Sequence, residues 1–149
     1  MLSLLDYPLI SPFAEAIYHG SEKPQSCDEY LFEFVEEMKA LKKSGLFLNS
    51  KRFEVALDAY ICDAPAKSFI RQTVGDTGYA SCTKCTVYED YMNNRVSFLE
   101  IDCPLRTDES FAKCEDAKHH DGLSPLLQIS GTKLVSHFPL DYMHLICLG

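Results

Sequence analysis

Cys82-Thr83-Lys84-Cys85 places two thiols at the C-x-x-C spacing, which lets both sulfurs reach one Zn²⁺, as in zinc ribbons and knuckles. This is half of a tetrahedral site. Candidates for the other two ligands are Cys103, Cys114, His119, His120, His137 and His144, and none of them stands in a second C-x-x-C or in an H-x-x-x-H pattern. The same spacing also serves thiol–disulfide exchange. A thioredoxin-like pair, however, sits at a helix start directly after a strand, and Gly78-Tyr79-Ala80-Ser81 is not such a lead-in. Two thiols without any ligand are the third reading.

Asp63 is the second candidate. It closes an apolar run and precedes Pro65, which puts a carboxylate at the carboxyl end of an expected strand, where open α/β sheets hold ligands and metals. Two or three carboxylates gathered there can hold a pair of Mg²⁺ or Mn²⁺ ions that activate water and stabilise the leaving oxygen of a phosphodiester. One carboxylate cannot, and an aspartate before a proline equally suits the cap of the next helix. His119-His120, flanked by Lys118 and Asp121, are expected as exposed loop histidines. Asp141 and His144 share a face if their segment is helical, as a metal-facing pair or as a hydrogen-bonded helix start. Nucleotide fingerprints and the Gly-x-Ser-x-Gly elbow are missing.

The elements that must position these groups follow from periodicity. Phe13 to Tyr18, between Pro12 and Gly20, suggests a short strand. Ser26-Cys27-Asp28-Glu29 has the form of a capping box, and Leu31, Phe34, Val35, Met38 and Leu41 recur at helical spacing up to Gly45. Asn49-Ser50-Lys51-Arg52 suits a turn between strands. Phe53, Val55, Leu57, Ala59 and Ile61 then alternate with Glu54, Ala56, Asp58, Tyr60 and Cys62, as in a strand with one buried face. A short helix is expected from Pro65 towards Gly75, and a strand over Arg95 to Ile101. The apolar segment from Asp141 to Gly149 ends abruptly, so truncation is expected there.

Composition sets the outer bounds. The 149 residues are 46% hydrophobic and 24% charged, and a chain of this length buries roughly two thirds of its unfolded surface. One domain is expected. Asp6 interrupts the opening apolar residues before a signal sequence forms, and no stretch has the roughly 20 apolar residues needed to span a bilayer. Seven cysteines, an odd number, favour reduced thiols and metal binding over a disulfide framework. A net charge of −8 argues against a freestanding nucleic-acid binder, because DNA affinity rests on Lys and Arg neutralising phosphates. Lys39, Lys42 and Lys43 are expected as a solvated helix end.

Several short stretches then point the same way. Ile61-Cys62-Asp63-Ala64-Pro65-Ala66, Gly78-Tyr79 with Cys82-x-x-Cys85, Leu105-Arg106-Thr107-Asp108, His119-His120 with Ser124-Pro125-Leu126, and Phe138-Pro139-Leu140-Asp141-Tyr142-Met143-His144 with Cys147-Leu148-Gly149 together resemble transposon-derived transposase domain-containing proteins. Those proteins are similar to CACTA-related DDE-type transposases and, more distantly, to Transib transposases and the catalytic subunit of the V(D)J recombinase. The resemblance runs from about Pro12 to Gly149.

It implies an α/β, ribonuclease H-like fold with a strand-helix-strand core and a C-x-x-C zinc-binding insertion. Residues 12–74 would form the core portion of a single partial domain, and 75–149 the zinc-knuckle and insertion region. It implies metal-dependent DNA strand cleavage and transfer, with Asp63, nineteen residues before Cys82, as the second of three acidic metal ligands. Cys82 and Cys85 would share structural zinc with histidines beyond residue 149. Family analogy adds a nuclear location and a dimer, with cytosol the expectation from composition alone. The first and third acidic residues have no counterpart here, and Asp76 stands where histidine is usual, so the chain is expected to be inactive alone. A non-catalytic zinc module recruited for protein interaction is the alternative.

Overall fold

The computed structural model describes residues 17–75, 77–88, 90–92, 95–97, 100 and 102–140. Phe13 to Ala16, most of the first expected strand, and Asp6, Asp76, Asp141 and His144 lie outside the described residues; Ile17 and Tyr18 belong to no strand.

Helix α1 (Cys27–Ser44) starts where the capping pattern placed it: the Ser26 hydroxyl accepts the Glu29 backbone N–H at 3.2 Å. Asp28 and Glu29 occupy its first turn and Lys42 and Lys43 its last, each on the favourable end of the helix dipole. Gly45 ends it at φ 77°, its N–H returning to the Leu41 carbonyl at 2.7 Å. A Cβ on Gly45 would lie 2.7 Å from the Phe53 carbonyl oxygen, so no other residue fits without displacement. Strands β1 (Leu46–Leu48) and β2 (Lys51–Phe53) form the expected hairpin, antiparallel with Leu48 opposite Lys51. Asn49 and Ser50 both have positive φ, 49° and 63°, as a two-residue turn matched to strand twist requires.

The expected strand from Phe53 to Ile61 is corrected in two respects. Val55 and Leu57 pack on the core while Glu54, Ala56 and Asp58 are exposed, but the alternation breaks after Asp58: Tyr60 and Cys62, expected on the opposite face, pack on the core, and Ile61 is 69% exposed. Residues 54–62 also belong to no ladder; within them, the Tyr60 N–H donates to the His137 carbonyl at 2.8 Å. The chain then enters α2 (Ala64–Arg71), capped by Asp63, with Pro65 in its first turn. A second hairpin pairs β3 (Asp90–Met92) with β4 (Arg95–Ser97), the latter being the described part of the strand expected over 95–101. Helix α3 (Asp108–Ala112) begins with a reciprocal Thr107–Ser110 capping box, and a 3₁₀ turn (Pro125–Gln128) follows.

The core gathers Val35 and Met38 of α1, Phe111 of α3, Leu126 of the 3₁₀ turn, and Ile129, Leu134, Val135 and Phe138 beyond it. Tyr60 stacks on Phe138 with ring centroids 4.8 Å apart, which brings the extended segment onto that core. Among the described residues, no helix is long and apolar enough to cross a membrane.

Candidate metal centre

The C-x-x-C residues lie in a loop fastened on two sides. Cys85 faces Leu105 across a short antiparallel contact, in which the Arg106 N–H donates to the Lys84 carbonyl at 2.8 Å and the Thr86 N–H to the Pro104 carbonyl at 3.0 Å. Arg106 Nε adds a bond to the Cys82 carbonyl at 3.0 Å. From the middle of the motif, Lys84 Nζ donates to the Val135 and Phe138 carbonyls, both at 2.9 Å. The loop is thus anchored to the core through its backbone and through Lys84.

Within it the two sulfurs converge to 3.2 Å, and the Cys85 N–H points at the Cys82 sulfur at 3.4 Å. Burial opposes ionisation of Cys82, yet the N–H groups of Lys84 and Cys85, the Cys85 thiol and the Arg106 charge outweigh it and hold this thiol below the usual range. Burial and the neighbouring Cys82 push the Cys85 thiol the other way. Cys82 is thus the more acidic of the two thiols. Among the described residues, no three His, Cys, Asp or Glu side chains converge where a metal could sit.

Asp63 is exposed at the N-terminus of α2, where its Oδ1 accepts the Ala66 N–H at 2.8 Å. This is the capping role weighed from the sequence, and it leaves the residue open to solvent.

The histidines depart from expectation. His119 is 0% exposed and His120 half-buried, because the chain here pairs back onto the end of α2: Thr73 bridges His120, and the Val74 N–H donates to the His119 carbonyl at 3.0 Å. His119 Nδ1 lies 2.6 Å from the Ala80 carbonyl, which makes it the protonated nitrogen, while Nε2 is buried without a partner. Burial, then the charges of Arg106 and Arg71, push its pKa down to about 4 against the help of the Ala80 carbonyl. His120 is depressed for the same reasons. Both are neutral near pH 7 and face cations, a poor setting for metal ligation.

Those cations went unseen in the sequence. Lys67 and Arg71, one turn apart, are the buried residues of α2. Arg71 is 0% exposed and none of its side-chain nitrogens makes a hydrogen bond; its guanidinium instead lies over Phe111 at 4.6 Å and Phe138 at 5.6 Å. Burial and the nearby Arg106 lower its pKa to about 10, so it stays charged near neutrality. Arg106 forms an ion pair with Asp116 at 2.8 Å whose angles fall short of a hydrogen bond. Asp108 accepts the N–H groups of Val135 and Ser136 and the Ser136 hydroxyl. The only advance sign was Lys67 and Arg71 at i, i+4, which reads as an exposed face unless the packing is known.

Compared with known protein families, curated proteins and solved structures, the chain has no match.

Proposed function

We propose that this chain is a portion of a DDE-type transposase catalytic domain of ribonuclease H-like fold, inactive alone, whose Cys82–Cys85 knuckle holds structural zinc. The observation that carries the zinc assignment is the convergence of the two sulfurs to 3.2 Å. The transposase assignment rests on the sequence resemblance. Asp63 supports it to the extent that it is an exposed carboxylate where an extended segment meets a helix. In that reading Asp63 is one ligand of the Mg²⁺ or Mn²⁺ ions, which when bound activate the attacking oxygen and stabilise the leaving one. Its companion carboxylates and the basic surfaces that grip DNA belong to other segments of a dimeric nuclear enzyme, as the charge of −8 requires.

A non-catalytic zinc module that binds protein is the second reading. It is favoured by the employment of the Asp63 carboxylate as a helix cap.

The test is zinc content of the purified chain together with thermal unfolding with and without chelator. One zinc per chain, lost with a fall in the unfolding temperature, is the expected result. Absence of zinc from chain refolded in its presence would overturn the assignment. Mn²⁺ binding by the purified chain that Asp63→Asn abolishes separates the transposase reading from the module.

A further inference from the structure

Helix α1 carries acidic residues on a side that the core leaves free. Glu29, Glu33 and Glu37 are exposed and follow one another at four-residue intervals, so they form a stripe along the helix. Like charges at this spacing work against the helix. Among the described residues, none of these carboxylates has an ion pair or a hydrogen bond, whereas Glu36 beside the stripe is satisfied by Lys39 at 2.6 Å. Residues 17–26 lie alongside and bring Glu22 to the same place. Together they enclose a groove of about 1170 Å³, with Lys23 as the cation of its lining.

Aromatic rings form much of the rest of that groove. Tyr18 meets Tyr30 edge to face, with ring centroids 5.8 Å apart and planes at 77°, and Tyr30 meets Phe69 of α2 in the same manner at 5.9 Å. The Tyr18 hydroxyl donates to the Glu22 carbonyl at 3.1 Å, which holds this ring in place. Phe32, 63% exposed, and Phe34 line the groove as well. Exposed ring faces beside unpaired carboxylates attract cations, through the ring quadrupole and through charge. A single small molecule fills an enclosed pocket of roughly 300–1,000 Å³. This groove is larger and open to solvent, so a chain segment suits it better.

We propose that the groove between α1 and residues 17–26 binds an extended, lysine- or arginine-rich segment of another protein. Glu29, Glu33 and Glu37 follow one another about 6 Å apart along the helix axis, and the side chains on one face of an extended chain recur about every 6.6 Å. Basic residues at alternate positions of such a segment therefore meet successive carboxylates, while their aliphatic stems lie against the rings. A second copy of this chain is disfavoured by its own charge of −8, and DNA and anionic membranes are disfavoured by the same repulsion. The groove shares no residue with the cysteine knuckle or with Asp63, so the inference stands apart from both readings above.

The test is calorimetric titration of the full chain with a synthetic peptide in which lysine alternates with threonine. Binding that weakens with added salt is expected, since the carboxylates are exposed. Glu33→Gln combined with Glu37→Gln is expected to weaken it about 2- to 25-fold, at roughly 1.4- to 5-fold for each exposed pair lost. Tyr18→Leu is expected to weaken it about 2- to 5-fold. Glu36→Gln, on the same helix but outside the groove, is expected to change nothing. Unfolding temperatures measured alongside separate a lost surface from a lost fold. No binding, a loss of the same size in Glu36→Gln, or equal affinity for a peptide of the same composition with its lysines contiguous would overturn the proposal. So would a concentration-dependent dimer that the double variant abolishes, which would give the groove to a second copy.

Discussion

His119 makes acid stability a quantitative test of the interior. Its pKa of about 4 in the folded chain compares with 6.5 for an unperturbed imidazole, a difference worth about 3 kcal/mol. Between these two values the unfolded chain binds a proton that the folded chain refuses, so this stability is whole above pH 6.5 and is lost as pH falls to about 4. His119→Gln removes the titration and keeps an amide N–H able to reach the Ala80 carbonyl. Urea unfolding of both proteins, from about pH 7 down to about 4, measures the difference. The wild type is expected to lose about 3 kcal/mol more than the variant across that window. His120, also depressed by burial and by Arg106 and Arg71, titrates in both proteins and largely cancels. Stability curves that stay parallel would refute the burial and tautomer assigned to His119, whatever the variant's stability at neutral pH.

Two further substitutions separate structural from chemical roles. Asp63→Ala removes the cap of α2 and should cost about 1 kcal/mol, while Asp63→Asn should cost only a few tenths; both should lose Mn²⁺ binding, and an Asn variant that still binds Mn²⁺ would show that the carboxylate is only a cap. Asp108→Ala strands the Val135 and Ser136 N–H groups that the carboxylate holds at 2.7 and 3.0 Å and should cost roughly 2–3 kcal/mol by urea unfolding, with a loss below about 0.5 kcal/mol counting against it. Burial works against the charged Asp108, but the N–H groups of Ser136 and Val135 prevail and lower its pKa. Its contribution is therefore present above the ordinary carboxylate range and is lost only at pH below the window in which His119 titrates.

What the sequence made legible were features decided within a few residues. The Ser26 cap, Gly45 as terminator and the Asp63-Pro65 helix start each depend on local backbone chemistry and are found in place, and the turn expected over Asn49-Ser50-Lys51-Arg52 is found at Asn49 and Ser50, with Lys51 and Arg52 already in β2. The alternation from Phe53 identified Val55 and Leu57 as core-facing, because that depends on period alone, but it failed from Tyr60 onward, where Tyr60 and Cys62 face the core and Ile61 is exposed. It could not identify a partner strand, because pairing depends on distant chain. The histidines misled for the same reason. Lys118 and Asp121 are hydrophilic neighbours, yet a bridge to Thr73 and the packing of Phe111 turn His119 inward. The C-x-x-C spacing was legible, whereas the bridge that fastens Cys85 to Leu105 joins residues about twenty apart and leaves no periodic trace.

The buried Lys67 and Arg71 and the half-buried Lys84 explain how so small a knuckle could be coupled to the whole molecule. Lys84 reaches from inside the C-x-x-C motif to the Val135 and Phe138 carbonyls, Lys67 of α2 reaches the Pro139 carbonyl at 3.1 Å, and Arg71 spans the rings of Phe111 and Phe138. All three converge on the segment that ends the core, and Phe138 also stacks on Tyr60. Desolvating a cation is costly, and carbonyl oxygens and ring faces return only part of that cost. The arrangement therefore persists only while its geometry is held. A knuckle loosened by loss of zinc would release Lys84 from its two carbonyls and leave Phe138 less firmly placed against Arg71 and Tyr60. Metal removal should accordingly lower the unfolding temperature of the core itself, with a single transition, rather than add an early transition confined to the cysteine loop.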